Sequence, residues 1–143
     1  MATDRTVSAT WNGSLLEGAG TIHAAGSGAF GPLAVSWASR AEEPNGKTSP
    51  EELIAAAHAA CFAMALSHGL AQSGTPAAQL DTSATVTFQP GEGIIRIALT
   101  VRGNVPGIDA ATFAVKAAEA KVGCPVSKAL AGVPEITLDA ALV

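Results

Sequence analysis

At 143 residues the chain is long enough for one domain, residues 1–143, with a sizeable core. Its formal net charge of −4, without any run of Lys or Arg, argues against nucleic-acid binding. Met1–Thr10 holds no apolar signal core, so a cytoplasmic rather than a secreted protein is expected.

Taken in order, Thr6–Trp11 alternates polar and apolar residues and predicts a strand. Asn12-Gly13 marks a turn. Gly20–Ala24 predicts a second strand, and Leu33–Trp37 a third that ends near Arg40. The polar stretch 41–47, with Pro44 and Asn45-Gly46, predicts a loop.

Thr48-Ser49-Pro50-Glu51-Glu52 then opens a helix. Ser49 can cap backbone N–H groups, Pro50 suits the first turn, and Glu52 sits three residues beyond Ser49. The helix is expected from Pro50 to Gln72, stopped by Ser73-Gly74-Thr75-Pro76. From Leu53 to Ala71 almost every residue is apolar or small, the exceptions being His58, Ser67, His68 and Gly69. A helix that is apolar all round has no solvent face, so this one is expected to be buried. Its length is close to the roughly 20 residues of a membrane span. It is mostly Ala, however, carries two histidines and lacks flanking basic or aromatic anchors, so no membrane is expected.

Leu80–Phe88 and Ile94–Val101, joined by Pro90-Gly91-Glu92-Gly93, predict a hairpin. One face of the first strand carries Thr82, Ala84, Val86 and Phe88, and one face of the second carries Ile95, Ile97, Leu99 and Val101. Asp109 is placed to cap a helix over 110–122, with Val115, Ala118 and Val122 on one stripe and Phe113 beside them. Cys124-Pro125 opens a short helix to about Leu130, and Glu135–Val143 predicts a closing strand. The order βββ–α–ββ–αα–β defines an α+β class.

Cys61 and Cys124 are the only cysteines, and no CxxC pair exists, which excludes a zinc ribbon. A cysteine on an Ala-rich helix is usually a small hydrophobe. Cys61 is mid-helix, so the helix dipole cannot favour its thiolate; reactivity there needs a cation from elsewhere. Cys124 stands where the short helix begins, and two readings are open there: partial positive charge at that end favours a thiolate, or the position is simply an N-cap occupied by a small residue. His58, one turn before Cys61, suits a buried, hydrogen-bonded core role better than a Cys–His pair, and His58, Cys61 and His68 make a poor metal set. Glu52 is accounted for by the capping box. Glu51 is left without a structural task, which makes it the better functional candidate. Arg40 alone reads as an ordinary surface cation.

Together these residues resemble the OsmC/Ohr family of thiol-dependent hydroperoxidases, and more closely its OsmC branch. The resemblance rests on Thr48–Ser67, on Val105-Pro106-Gly107-Ile108-Asp109-Ala110, on Gly123-Cys124-Pro125-Val126-Ser127 and on Glu135-Ile136-Thr137-Leu138-Asp139. It implies that Cys61 is the peroxidatic cysteine, Cys124 the resolving cysteine and Glu51 the active-site glutamate. The Ohr branch takes its active-site arginine from an early loop, but here that region reads Leu16-Glu17-Gly18. The OsmC branch places it just before the central helix, where Arg40 stands. The resemblance further implies antiparallel sheets around a long buried central helix and an intertwined homodimer. It also implies reduction of organic hydroperoxides, extending to hydrogen peroxide, through a Cys61 sulfenic acid that Cys124 resolves as a disulfide. An external dithiol would then reduce that disulfide, without metal or bound cofactor.

Physical chemistry fits these roles. A guanidinium cannot deprotonate, so Arg40 could stabilise a Cys61 thiolate, and Glu51 could hold Arg40 by a bidentate contact. Ten residues of straight helix separate Glu51 and Cys61 by roughly 15 Å. Either that helix is broken or Glu51 comes from a partner chain, and the resemblance implies the partner. The competing readings are a redox-sensing or binding module that forms the same disulfide without turnover, and a structural dimer with inert cysteines.

Overall fold

The computed structural model describes residues 1–143, which form two compact units, Met1–Pro50 and Glu51–Val143. In the first unit, β1 (Ala9–Asn12), β2 (Ala19–Ile22) and β3 (Leu33–Val35) make an antiparallel sheet in chain order. Trp11 closes on Gly20, where a Cβ would come within 2.7 Å of the indole ring. The indole Nε1–H meanwhile donates to the Gly13 and Ser14 carbonyls at 3.1 and 3.2 Å.

The third strand ends earlier than its alternation predicts. Trp37–Ala41 is a short helix, α1. Ser36 and Ser39 explain it by capping each other reciprocally: the Ser39 N–H donates to Ser36 Oγ (3.1 Å) and the Ser36 N–H to Ser39 Oγ (2.9 Å). The Ser39 hydroxyl also donates to the Thr48 carbonyl at 3.1 Å, tying α1 to the chain beyond the loop. Arg40 therefore lies in the last turn of a helix rather than at a strand end, where a cation is favoured by the helix dipole.

The second unit is built on α2 (Pro50–Gln72), which has the predicted bounds. The N–H of Thr75 donates to the Leu70 carbonyl at 3.0 Å and Gly74 takes a φ of 80°, so the last turn closes on a residue suited to the left-handed region. His58, Phe62, Leu66 and Leu70, spaced by four, are wholly buried. The expectation that α2 is buried all round is met on this face only. Ala56, Ala57, Ala60, Met64 and His68 are exposed, Met64 to 70%. By length and composition α2 could cross a membrane, but Phe62, Leu66 and Leu70 are committed to the protein core.

That core is completed by a sheet. β4 (Gln79–Gln89) and β5 (Gly93–Asn104) form the predicted hairpin, with a register shift at Thr87/Phe88. Ile97, Leu99 and Val101 of β5 are buried against the helices. The Thr82 hydroxyl donates to the Ala59 carbonyl of α2 at 3.1 Å. β6 (Glu135–Leu142) pairs with β5 in parallel, so the sheet is mixed and the expectation of antiparallel sheets fails here. Two helices intervene between β5 and β6, and a crossover of that length returns the chain in the same direction.

The first of these helices, α3 (Ala110–Gly123), starts where expected, with the Thr112 N–H donating to Asp109 Oδ1 at 2.7 Å. Its buried face is Phe113, Ala117 and Ala120. The Val115–Val122 stripe is exposed, to 55% and 72% at its two valines. Phe113 decides the matter. Its ring occupies the space beside Gly103 of β5, where an added Cβ would lie 2.6 Å from it. Burying an aromatic ring outweighs burying a valine.

Candidate active site

α3 ends and α4 (Pro125–Ala129) begins at the same residue, Cys124, which serves as C-cap of one and N-cap of the other. Its φ and ψ of −60° and 124° turn the chain sharply, and Pro125 supplies a first helical position whose missing N–H costs nothing. This junction carries the Cys124 side chain into the core, where it is completely buried.

There it meets Cys61. The two residues are far apart in sequence, yet they pack together in one core, near enough for each to shift the other's pKa, and both are free cysteines. Their surroundings differ. Burial pushes the Cys61 thiol above its ordinary pKa, and the neighbouring Cys124 sulfur pushes it further; the Val126 backbone N–H opposes this only in part. Burial also works to raise Cys124, but its hydrogen bonds outweigh that effect and bring it below its ordinary value. They come from the Cys61 thiol, from the Ser127 N–H and hydroxyl, and from the Val126 N–H. As a thiol Cys124 makes no capping hydrogen bond to α4; the helix-start amides matter for the thiolate, a far better acceptor. Access runs the other way, because Cys61 is half-buried and Cys124 sealed.

His58, one turn before Cys61, is also sealed. Its Nε2 lies 2.7 Å from Ser127 Oγ, joining α2 to α4 one turn from each cysteine. Burial lowers the His58 pKa, so the ring is neutral near pH 7. Its Nδ1 is buried with no hydrogen-bond partner. A bare acceptor is less costly to leave than an orphan donor, which assigns the proton to Nε2, donating to Ser127. The expectation of a buried, hydrogen-bonded His58 is met. Ser127, three residues after Cys124 in α4, joins the site through this bond, with no signal of its own in the sequence.

Glu51 and Arg40 are the remaining predicted site residues. Glu51 is buried in the first turn of α2. The helix is unbroken from Pro50 to Gln72, so Glu51 lies roughly 15 Å along it from Cys61 of the same chain. In the N-terminal unit, Arg40 borders a cavity of about 350 Å³ lined by Trp11, Leu15, Val35, Ser36, Trp37 and Pro50, an apolar hollow with one guanidinium at its margin. The structure contains no group of three or more His, Cys, Asp and Glu side chains placed to hold a metal ion.

The second unit packs a cysteine pair between a long helix and a helix junction, and comparison with known proteins identifies the family that shares this fold. Residues 43–139 match the family model described as OsmC, OsmC-like protein. The chain is 45% identical over 134 residues to the peroxiredoxin OsmC of Escherichia coli strain K12, covering 92% of this chain and 91% of that protein. This chain belongs to the OsmC family.

Solved structures agree on the fold. An organic hydroperoxide resistance protein OsmC from Legionella pneumophila superposes with a TM-score of 0.71 at 24% identity, covering 95% of this chain and 96% of that one. An organic hydroperoxide resistance protein from Elizabethkingia anophelis gives 0.72 at 23% identity over the whole of both chains.

Proposed function

We propose that the chain is a thiol-dependent peroxidase that reduces organic hydroperoxides, and hydrogen peroxide as well, with residues 1–143 acting as one OsmC-like domain. The observation that carries this is the cysteine pair itself: two free cysteines in one core, one half-buried and one sealed. The name of its Escherichia coli relative, peroxiredoxin, supports the same reading.

The Cys61 thiolate attacks the terminal peroxide oxygen. An S–O bond forms as the O–O bond breaks, and the alkoxide leaves as the alcohol once protonated. The Cys124 thiolate then attacks the Cys61 sulfenic acid; an S–S bond forms, the S–O bond breaks, and hydroxide leaves as water. An external dithiol returns two electrons through thiol–disulfide exchange. Access selects Cys61 as the attacking residue. A cytoplasmic setting, where thiols are kept reduced, suits such a cycle.

Burial raises Cys61, so its role calls for a cation at its sulfur. Arg40 is that cation in this reading, and the apolar hollow beside it suits the organic part of a hydroperoxide. The unbroken α2 removes the option of bending Glu51 back to Cys61. Arg40 is therefore oriented by Glu51 of the partner subunit in a homodimer, whose formation would also cover the open face of Ala56, Ala60 and Met64. Peroxide consumption driven by a dithiol tests the proposal. The wild-type chain should turn over many equivalents, and Cys61→Ser none. A single equivalent consumed, with the disulfide then persisting under excess dithiol, would favour redox sensing without turnover.

A further inference from the structure

The second unit buries three polar side chains, Glu51, His58 and Ser127, and two of these are each other's partners. His58 Nε2 lies 2.7 Å from Ser127 Oγ, while its Nδ1 is buried without a partner. An apolar side chain of similar volume would fill the site and leave no polar atom unpaired, so the bond to Ser127 calls for a reason beyond packing. The cycle just described uses neither residue.

Their places in the fold supply that reason. His58 precedes Cys61 by three positions on α2, and positions three apart share a helix face. Ser127 is the third residue of α4 and Cys124 its N-cap, two positions whose side chains stand together at a helix start. One buried bond therefore joins the α2 face that carries Cys61 to the α4 turn that carries Cys124. The same turn of α2 is also tied to the sheet, through the Thr82 hydroxyl and the Ala59 carbonyl at 3.1 Å. α2 is thus the fixed side of the pair, and α4 the side that needs holding. α4 has five residues, too few for a helix to be stable by itself. Val126 and Leu130 pack against the core, but apolar contact is non-directional and lets a short helix slide or turn. A hydrogen bond between sealed groups sets one register.

We infer that His58 and Ser127 are positioning residues for the disulfide step: their hydrogen bond locks α4 against α2, so that Cys124 stays beside Cys61 while Cys61 carries its sulfenic oxygen. The inference rests on the peroxidase reading for its place in the cycle, but the lock acts on any reaction that joins the two sulfurs. Without it Cys124 drifts, which lowers the effective concentration of one sulfur at the other. The first step is spared, and a slowed second step leaves the sulfenic acid open to further oxidation.

Two measurements test this. The first uses no peroxide. The reduced chain is equilibrated with mixtures of a reduced and an oxidised small dithiol; the cysteine pair passes two electrons and two protons to the S–S bond of the oxidised dithiol and closes its own. His58→Leu and Ser127→Ala should each demand about tenfold more oxidised dithiol to half-form the Cys61–Cys124 disulfide. The double variant should go no further than either, since both changes remove one bond. His58→Gln, whose amide N–H reaches about as far as Nε2, should restore most of the wild-type midpoint. The second measurement follows one turnover with an organic hydroperoxide. In Ser127→Ala, dimedone should trap Cys61 sulfenic acid formed at close to the wild-type rate, while disulfide formation slows about tenfold and sulfinic acid accumulates under excess peroxide. A wild-type midpoint in Ser127→Ala, with the variant folded by circular dichroism, would overturn the inference. So would disulfide formation at the wild-type rate, or single-variant effects that add in full in the double variant. Ser127→Ala removes one oxygen atom and keeps the test available should His58→Leu not fold. If the wild-type chain forms the disulfide with the dithiol but no sulfenic acid with peroxide, the peroxidase reading falls, and the equilibrium alone still decides the lock.

Discussion

Cys61 and Cys124 share one core, but the regions that present them are built differently. Cys61 sits in the middle of a 23-residue helix, where the backbone amides are already paired and the dipole offers nothing. Its sulfur is reachable and its thiolate disfavoured. Cys124 sits where two helices meet; burial works to raise its pKa, but its surroundings at the start of α4 and the neighbouring Cys61 bring it below its ordinary value. Its sulfur is sealed and its thiolate favoured. Access and thiolate stabilisation are thus divided between two residues. In the proposed cycle the half-buried one obtains its activation from outside its own helix. In the proposed cycle the sealed one acts on the sulfenic acid formed beside it.

The sharpest way to break this comparison is to exchange sulfur for oxygen at each position. Cys61→Ser should abolish peroxide reduction, because the hydroxyl is not a useful nucleophile here. Cys124→Ser should keep the first chemical step and lose its resolution, leaving trappable sulfenic acid. Equal loss of the first step in both variants would erase the division of roles.

Arg40→Ala addresses the missing activation. Removing an opposite charge beside a thiolate should raise the Cys61 pKa by about 1–3 units and slow the first step about tenfold or more at neutral pH. Iodoacetamide alkylation against pH reads the shift, and an unchanged thiol pKa would assign activation to another group. Co-refolding a Glu51→Ala chain with a Cys61→Ser chain tests where the carboxylate comes from. Random pairing makes about half of the dimers heterodimers, each with one complete site of two, so activity should return to about a quarter of the wild-type level; no recovery, with heterodimers present, would place Glu51 outside a shared site.

A smaller effect concerns acid stability. Burial depresses the His58 pKa in the folded state, so the unfolded chain binds the extra proton first. The stability this provides is fully present above about pH 6.5, the ordinary histidine value, and is lost as pH falls through the depressed one. His58→Gln should flatten that slope in denaturant titrations by about one proton's worth; an unchanged slope would mean His58 is not buried neutral.

Where local chemistry sets an element, the sequence was informative. Ser49-Pro50 and Ser73-Gly74 bound α2 to the residue, Asp109 caps α3, and Cys124-Pro125 opens α4. Reading failed where tertiary partners decide. Leu33–Trp37 alternates like a strand, but the mutual capping of Ser36 and Ser39 turns its end into α1. On Ala-rich α3 the apolar residues point in every direction, and only the notch at Gly103 shows that Phe113 and not Val115 faces inward. The parallel pairing of β6 with β5 has no local signal. At the site, both cysteines could be named from the family resemblance and given contrasting environments from helix position. Their packing in one core, and the Ser127–His58 pair behind it, required the crossover to bring α4 against α2.

The most direct test of the proposed cycle is the disulfide formed when reduced protein meets one equivalent of an organic hydroperoxide. Peptide mapping should find Cys61 joined to Cys124 within one polypeptide, and the oxidised protein should migrate as a monomer on a non-reducing denaturing gel. A disulfide linking two chains, or oxidation of Cys61 with Cys124 left as a free thiol, would contradict the account.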